Sequence, residues 1–189
     1  IGARLAASAS IRAAATAPVG PSLLEEVRRA VVRDIRALAD AMGGSRERVI
    51  YDHFLFTLNL ALITPKATVL ASIGDGVAFL NGERIPMDIP AGNAPSYLAY
   101  TVLQGVDDPD PANAFKMNAF TQTNEVESLL IGTDGVEYLI AAEAESLPGK
   151  SEAIGSISQF WEEDRYFGNP DMIRRRLALI QQEHLAVDW

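Results

Sequence analysis

The spacing of apolar positions changes near residue 44 of the chain. Residues 1–16 are rich in alanine and other small residues, which is typical of a helix packed closely against a neighbour. The segment after Pro21 repeats apolar residues at helical spacing, and Ser22 with Glu25 has the spacing of a capping box. Gly43-Gly44 marks its expected end. We therefore predict two helices joined by a turn, the second burying a stripe made of Leu23, Val27, Ala30, Val31, Asp34 and Leu38.

The next part of the chain has the spacing of strands. Short apolar or alternating runs separated by turn residues occupy 54–64, 67–73, 77–82 and 84–89. Asn81-Gly82 is a favourable two-residue hairpin turn between the last two runs. This block predicts an antiparallel meander.

The second half of the chain mixes both patterns. It predicts a loop at 91–96, a polar loop at 105–115, and helices after Gly135, within 151–164 and from Asp171, the last capped by Asn169-Pro170. It also predicts strands at 97–103, at 115–120 on a sheet edge, and at 126–132 in a buried position. The predicted elements come in the order helices, then strands, then strands mixed with helices. This order favours an α+β fold in which helices cover antiparallel sheets, and it disfavours a doubly wound parallel sheet.

Composition and charge narrow the function classes. The 189 residues are 48% hydrophobic and 22% charged, which suits one soluble globular domain spanning 1–189. The net charge is −9, and the basic cluster Arg174-Arg175-Arg176 would spread around a helix as a solvated surface, so we expect no nucleic-acid binding. No apolar run is long enough to span a membrane. The absence of cysteine excludes thiolate sites and is compatible with the cytoplasm, the location that we expect.

Candidate chemistry is concentrated in two Asp-Gly loops. No P-loop, nucleophile elbow or dinucleotide fingerprint is present, and His53 and His184 lie outside any metal-ligand spacing. Gly74-Asp75-Gly76 and Thr133-Asp134-Gly135 each follow an apolar strand. If these strands end side by side, the two carboxylates need a cation, and Mg²⁺ or Mn²⁺ prefers such oxygen ligands. The alternative is that both are ordinary turns, because Asp-Gly is a common turn dipeptide.

The segments ATVLASIGDGVAFLNGE, SLLIGTDGVEYLI and FGNPDMIRRRLALI resemble the metal-dependent protein phosphatases of the 2C type (the PPM family), and within it the compact bacterial branch. The resemblance implies a four-layer αββα sandwich, with two antiparallel sheets flanked by helix pairs. It also implies hydrolysis of phosphoserine and phosphothreonine by a metal-bridged water, with two or three Mn or Mg ions. A phosphorylated protein would be the substrate, and a cognate Ser/Thr kinase a partner.

Carried over by position, Asp134, with Gly135 of the same motif, resembles the family's metal-binding residues. Asp75 resembles the residue that supports a third, weaker metal, although Gly76-Val77 replaces the usual Ser-Arg after it. No side chain is assigned as a nucleophile. The family's upstream Asp-Gly-x-Gly loop and its terminal Asp-Asp or Asp-Asn are missing, and Asp188 lies too close to the preceding helix to replace the latter. We therefore expect a domain truncated at both ends, without the N-terminal metal-binding strands and the C-terminal strand.

Three interpretations remain open from the sequence. The first is a metal-dependent Ser/Thr protein phosphatase. The second is a catalytically inactive phosphatase-like module that regulates or binds a partner through its acidic surface or the segment 92–120, which we also consider as a substrate-selecting flap. The third is an unrelated protein with two incidental Asp-Gly turns, which a large separation of Asp75 from Asp134 would support.

Overall fold

The computed structural model describes residues 1–17, 20, 22–87, 97–104, 113–169 and 171–184, and only the backbone of 182–184. The predicted loop at 91–96, most of the loop at 105–115, Pro170 and Asp188 lie outside these residues, as does much of the segment 92–120.

The described residues contain helices and strands in the predicted grouping. The helices are α1 (Gly2–Thr16), α2 (Leu23–Met42), α3 (Arg46–His53), α4 (Tyr100–Gln104), α5 (Gly135–Ala141), α6 (Gln159–Glu162), α7 (Arg165–Gly168) and α8 (Asp171–His184). The strands are β1 (Leu58–Ile63), β2 (Ala67–Ile73), β3 (Val77–Leu80), β4 (Glu83–Ile85), β5 (Lys116–Gln122) and β6 (Leu129–Gly132). A short 3-10 turn, Thr123–Glu125, lies between β5 and β6.

The strands form two three-stranded antiparallel sheets. The first has the order β1-β2-β5 and the second the order β4-β3-β6. Asn81 and Gly82 join β3 to β4 with φ angles of 52° and 78°, so the predicted two-residue hairpin is confirmed. The strand at 115–120 is confirmed as an edge strand, since β5 ends the first sheet.

The prediction of one continuous meander is wrong. β1 and β2 belong to one sheet, whereas β3 and β4 belong to the other. The chain changes sheets at Gly74-Asp75-Gly76, where both glycines have positive φ angles of 86° and 156°. β6 then pairs with β3 across the register Val77↔Gly132 to Leu80↔Leu129. The loop that carries Asp75 is therefore the crossing between the two sheets.

Helices cover the outer face of each sheet. The largest core cluster packs residues of α1 to α4, including Val31, Ile35 and Val102, against Leu58 and Ile73 of the first sheet. A second cluster packs α5 to α8 against Phe79 and Leu130 of the second sheet. The predicted α+β class, with two antiparallel sheets and helices around them, is confirmed.

The core-facing stripe of α2 differs in part from the prediction. Its buried residues are Leu23, Val27, Arg28, Val31, Val32, Ile35 and Ala39. Asp34 instead accepts hydrogen bonds from Arg12 and Arg33. The predicted capping box is also wrong, because Ser22 makes no side-chain cap and Glu25 binds Arg28 and Arg29. The arginines engage Glu25, and Ser22 has helical backbone angles of −84° and −8° instead of the extended conformation typical of a capping residue.

Several predicted elements need correction. Residues 46–53 form α3, a helix that was not predicted, and the strand predicted at 54–64 begins only at Leu58. The strand predicted at 97–103 is wrong, because Tyr100–Gln104 form α4 and buried Leu98 and Ala99 lie in the turn before it. The strand predicted as buried at 126–132 forms β6, whose residues are half-buried or exposed.

The segment predicted as a helix within 151–164 forms only the short α6. Gly155 interrupts it with a φ angle of 82°. The cap of α8 is confirmed, since the Asp171 N–H donates to Asn169 Oδ1 at 3.0 Å.

Arg176 corrects the prediction that Arg174-Arg175-Arg176 is wholly solvated. Arg174 is exposed, but Arg176 is buried, donates to Glu152 Oε1 at 2.6 Å and reaches the carbonyl oxygens of Ala153 and Ile154. Its role is therefore structural. Within the described part of the chain, no helix is both long and apolar enough to cross a membrane.

Candidate metal centre

The Asp75 loop and the end of β6 meet at the side chain of Asn59. Asn59 lies in β1, where it is the polar residue of the apolar run LNLALI. Its Nδ2 donates to the backbone carbonyl of Asp75 at 3.3 Å and to that of Gly132 at 3.0 Å. Asp134 follows Gly132 by two residues. One amide therefore links the strand end that precedes Asp134 to the loop that carries Asp75.

Gly76 fits this contact for a steric reason. A Cβ atom at Gly76 would lie 2.2 Å from Asn59 Nδ2, and its φ angle of 156° disfavours other residues. The Asn59 amide therefore lies directly against the Gly76 backbone. Its Oδ1 is buried and accepts no hydrogen bond within the described structure. A polar atom without a partner here is available to a bound water or ligand.

The two predicted carboxylates have different surroundings. Asp75 is half-buried between its two glycines, and Asp134 is exposed immediately before α5, of which Gly135 is the first residue. Asp134 makes no side-chain cap to the helix. Across the described residues, neither carboxylate has a hydrogen-bond or ion-pair partner. Within the described part of the chain, no side chain compensates either negative charge.

Tyr97 lies close enough to sense both carboxylates. Burial raises the pKa of Tyr97 above its ordinary value, and the charge of Asp75, neighbouring Tyr100 and the charge of Asp134 raise it further. The Tyr97 ring packs edge-on against Tyr100 with their centroids 5.7 Å apart. Both carboxylates therefore lie within electrostatic range of the same phenol.

Asn59 and Tyr97 were not predicted as site residues from the sequence. A single amide side chain in an apolar strand indicates a buried polar group that needs hydrogen-bond partners. Asn59 could therefore have been predicted from the sequence. Tyr97 carried no such signal. Conversely, the residues that the structure describes contain no group of three or more His, Asp or Glu side chains placed to hold one metal ion. His53 is exposed at the end of α3, as expected of a residue outside the site.

Comparison with known proteins agrees with the fold. The family model described as protein phosphatase 2C matches residues 1–171. No match was found among curated proteins or among solved structures. The matched range includes both Asp-Gly loops, both sheets and the helices α1 to α7, and it ends at the first residue of α8. The chain therefore belongs to the protein phosphatase 2C family.

Proposed function

We propose that this protein is a metal-dependent phosphatase that hydrolyses phosphoserine and phosphothreonine in proteins. Asp75 and Asp134 would hold a divalent cation between them. The observation that carries the proposal is the pair of hydrogen bonds from Asn59 to Asp75 and Gly132, which hold the two loops together. Membership of the protein phosphatase 2C family supports the same chemistry.

The chemistry of the two loops fits a hard divalent cation. Mn²⁺ and Mg²⁺ take oxygen ligands, and Mg²⁺ keeps several waters when the protein supplies few groups. Two neighbouring carboxylates repel each other unless a cation neutralises them. Asp75 and Asp134 have no other partner among the described residues. Gly135, which has no side chain, would contribute only backbone atoms.

The chain's own residues would position the substrate beside that cation. A bound divalent cation supplies a Lewis acid, which neutralises charge on the phosphoryl oxygens and lowers the pKa of water. The Tyr97 phenol, with its raised pKa, stays protonated at neutral pH and is able to donate to a phosphoryl oxygen. Asn59 would fix the distance between the loops. The proposal includes two or three ions, a phosphorylated protein as substrate, a cognate kinase and a cytoplasmic location.

Phosphate release from a phosphothreonine peptide tests this function. We expect the full-length protein to release phosphate with Mn²⁺ and not with EDTA, and to leave a matched phosphotyrosine peptide intact. Asp134→Asn keeps the size of the side chain and removes its charge, and we expect it to lower the rate by at least about 100-fold. Asp164→Asn, at an exposed carboxylate before α7, is the control and is expected to keep the rate.

A second candidate is a phosphatase-like module that binds a regulatory partner without metal. The absence of a three-residue metal-ligand group from the described part of the chain favours it. The same assay separates the candidates. A folded, full-length protein that binds no Mn²⁺ and releases no phosphate would support the module and contradict the enzyme.

A further inference from the structure

A cleft that shares no lining residue with the two Asp-Gly loops is lined by several arginines. It has a volume of about 910 Å³ and lies between α1, α2 and α4. Its arginines are Arg12, Arg28, Arg29, Arg33 and Arg36. They are five of the 16 basic residues in a chain whose net charge is −9. Such concentration of one charge in an acidic protein points to an anionic ligand.

Among the described residues, the carboxylates that pair with Arg12, Arg28, Arg29 and Arg33 are fewer than these arginines. Glu25 is shared by Arg28 and Arg29, and Asp34 is shared by Arg12 and Arg33. Four guanidinium groups therefore share two carboxylates as ion-pair partners. Glu26 also lines the cleft and adds one further negative charge.

Two buried donors in the cleft have no hydrogen-bond partner among the residues that the structure describes. The Arg28 side chain is 2% exposed; its Nε and Nη2 bind Glu25, but its Nη1 is buried without a hydrogen bond in the described structure. Thr101 is fully buried on α4, and its Oγ1 is likewise unpaired. Buried hydrogen-bond donors nearly always have an acceptor. Two such donors that line one cleft, both unpaired in the described structure, therefore indicate that a ligand supplies the acceptor. By contrast, Arg12, Arg29 and Arg33 have exposed side chains at the rim.

We propose that the arginine cleft binds a small molecule through a phosphate group. Arg28 Nη1 and Thr101 Oγ1 would donate to its oxygens, and Arg12 and Arg33 would balance its charge at the rim. Guanidinium groups match phosphate oxygens in geometry and charge. The volume suits a small ligand. This proposal is independent of the phosphatase function, because the cleft shares no lining residue with the two Asp-Gly loops.

Calorimetric titration in EDTA tests the site, with chloride used to keep the ionic strength constant. The probes are inorganic phosphate and glycerol 3-phosphate, which distinguish free phosphate from an organic phosphate. We expect saturable binding of at least one probe. Thr101→Val is expected to weaken it by about tenfold, and Arg28→Gln by at least as much. Glu26→Gln is expected to tighten it severalfold, because it removes a negative charge from the cleft.

Two controls separate the cleft from other effects. Arg48→Gln removes one positive charge at an 85% exposed position on α3 and is expected to bind as the wild type does. Asp134→Asn is expected to bind unchanged, which separates the cleft from the proposed metal centre. Thr101→Val and Glu26→Gln leave the buried Arg28–Glu25 ion pair in place, so the test does not depend on the folding of Arg28→Gln. Binding of neither probe, or equal weakening in Arg48→Gln and Thr101→Val, would overturn the proposal.

Discussion

Asn59 donates a hydrogen bond from Nδ2 to the carbonyl oxygen of Gly132, a residue 73 positions further along the chain, at 3.0 Å. The first residue lies in one sheet and the second ends a strand of the other. The same Nδ2 donates to the Asp75 carbonyl. Asn59 therefore ties together the two sheets at the point where the chain presents Asp75 and Asp134.

We predict that Asn59→Ala lowers the affinity for Mn²⁺ by about tenfold or more, because groups that orient metal ligands typically contribute that much. The free energy of unfolding should fall by only about 1–2 kcal/mol, since the lost hydrogen bonds are modest in net value. Mn²⁺ titration and urea unfolding measure the two effects separately.

Asn81→Ala is the matched control. Asn81 also joins distant segments, donating to the Glu125 carbonyl at 2.7 Å and accepting from the N–H groups of Glu127 and Ser128. It lies at the end of β3 away from Asp75. It should destabilise the fold without changing Mn²⁺ affinity. Equal loss of Mn²⁺ affinity in both variants would contradict a specific role for Asn59.

The contact of Gly76 with Asn59 predicts a steric coupling. Gly76→Ala should destabilise the protein by roughly 2–4 kcal/mol, because the added Cβ meets Asn59 Nδ2 and the backbone has a positive φ. Shortening Asn59 in Gly76→Ala/Asn59→Ala should recover about 1 kcal/mol relative to the sum of the single changes. Strict additivity in urea unfolding would show that the two residues do not press on each other.

The ion pair of Glu25 with buried Arg28 makes stability depend on pH. The hydrogen bond from Arg28 lowers the pKa of Glu25 below its ordinary value of 4.5. A lowered carboxyl pKa contributes stability that is present above the unfolded-state pKa and is lost as the pH falls through the folded-state pKa.

Glu25→Gln should therefore cost roughly 2–4 kcal/mol at pH 7, because it leaves the buried Arg28 charge unpaired. The difference from the wild type should shrink below about pH 4.5, as the wild-type carboxyl itself becomes protonated. Denaturant unfolding at several pH values measures it. A difference that stays constant from pH 7 to pH 3 would contradict this account.

Arg176 is buried, whereas Arg174 on the same helix is exposed. Arg176→Met should destabilise the protein by roughly 2–3 kcal/mol, because Arg176 holds Glu152 and the carbonyl oxygens of Ala153 and Ile154. Arg174→Met changes a 78% exposed side chain and should cost less than about 0.5 kcal/mol. Similar melting temperatures for the two variants would show that the buried contacts contribute little.

The parts of the fold that local chemistry determines were predictable from the sequence. The hairpin at Asn81-Gly82 follows from backbone preferences, and the Asn169 cap follows from a short side chain beside a helix start. Division of the strands into two sheets was not predictable, because sheet membership depends on pairing with β5 and β6 far along the chain. The helix α4 was predicted as a strand because short apolar runs fit a strand and a helix equally well.

The candidate site was predictable only in part. Asp75 and Asp134 could be named because each follows an apolar strand and precedes glycine. Their common surroundings depend on Asn59 and Tyr97, which reach them through tertiary structure. That these two carboxylates bind metal stays a prediction.

Electron paramagnetic resonance of Mn²⁺ bound to the full-length protein tests directly whether Asp75 and Asp134 form one metal centre. The proteins to compare are the wild type, Asp75→Asn, Asp134→Asn and the double variant. If both carboxylates hold one cation, each single change should weaken binding by at least about tenfold, and the double variant should lose less than the sum of both losses. Mn²⁺ affinity that is unchanged in both single variants would contradict a shared metal centre.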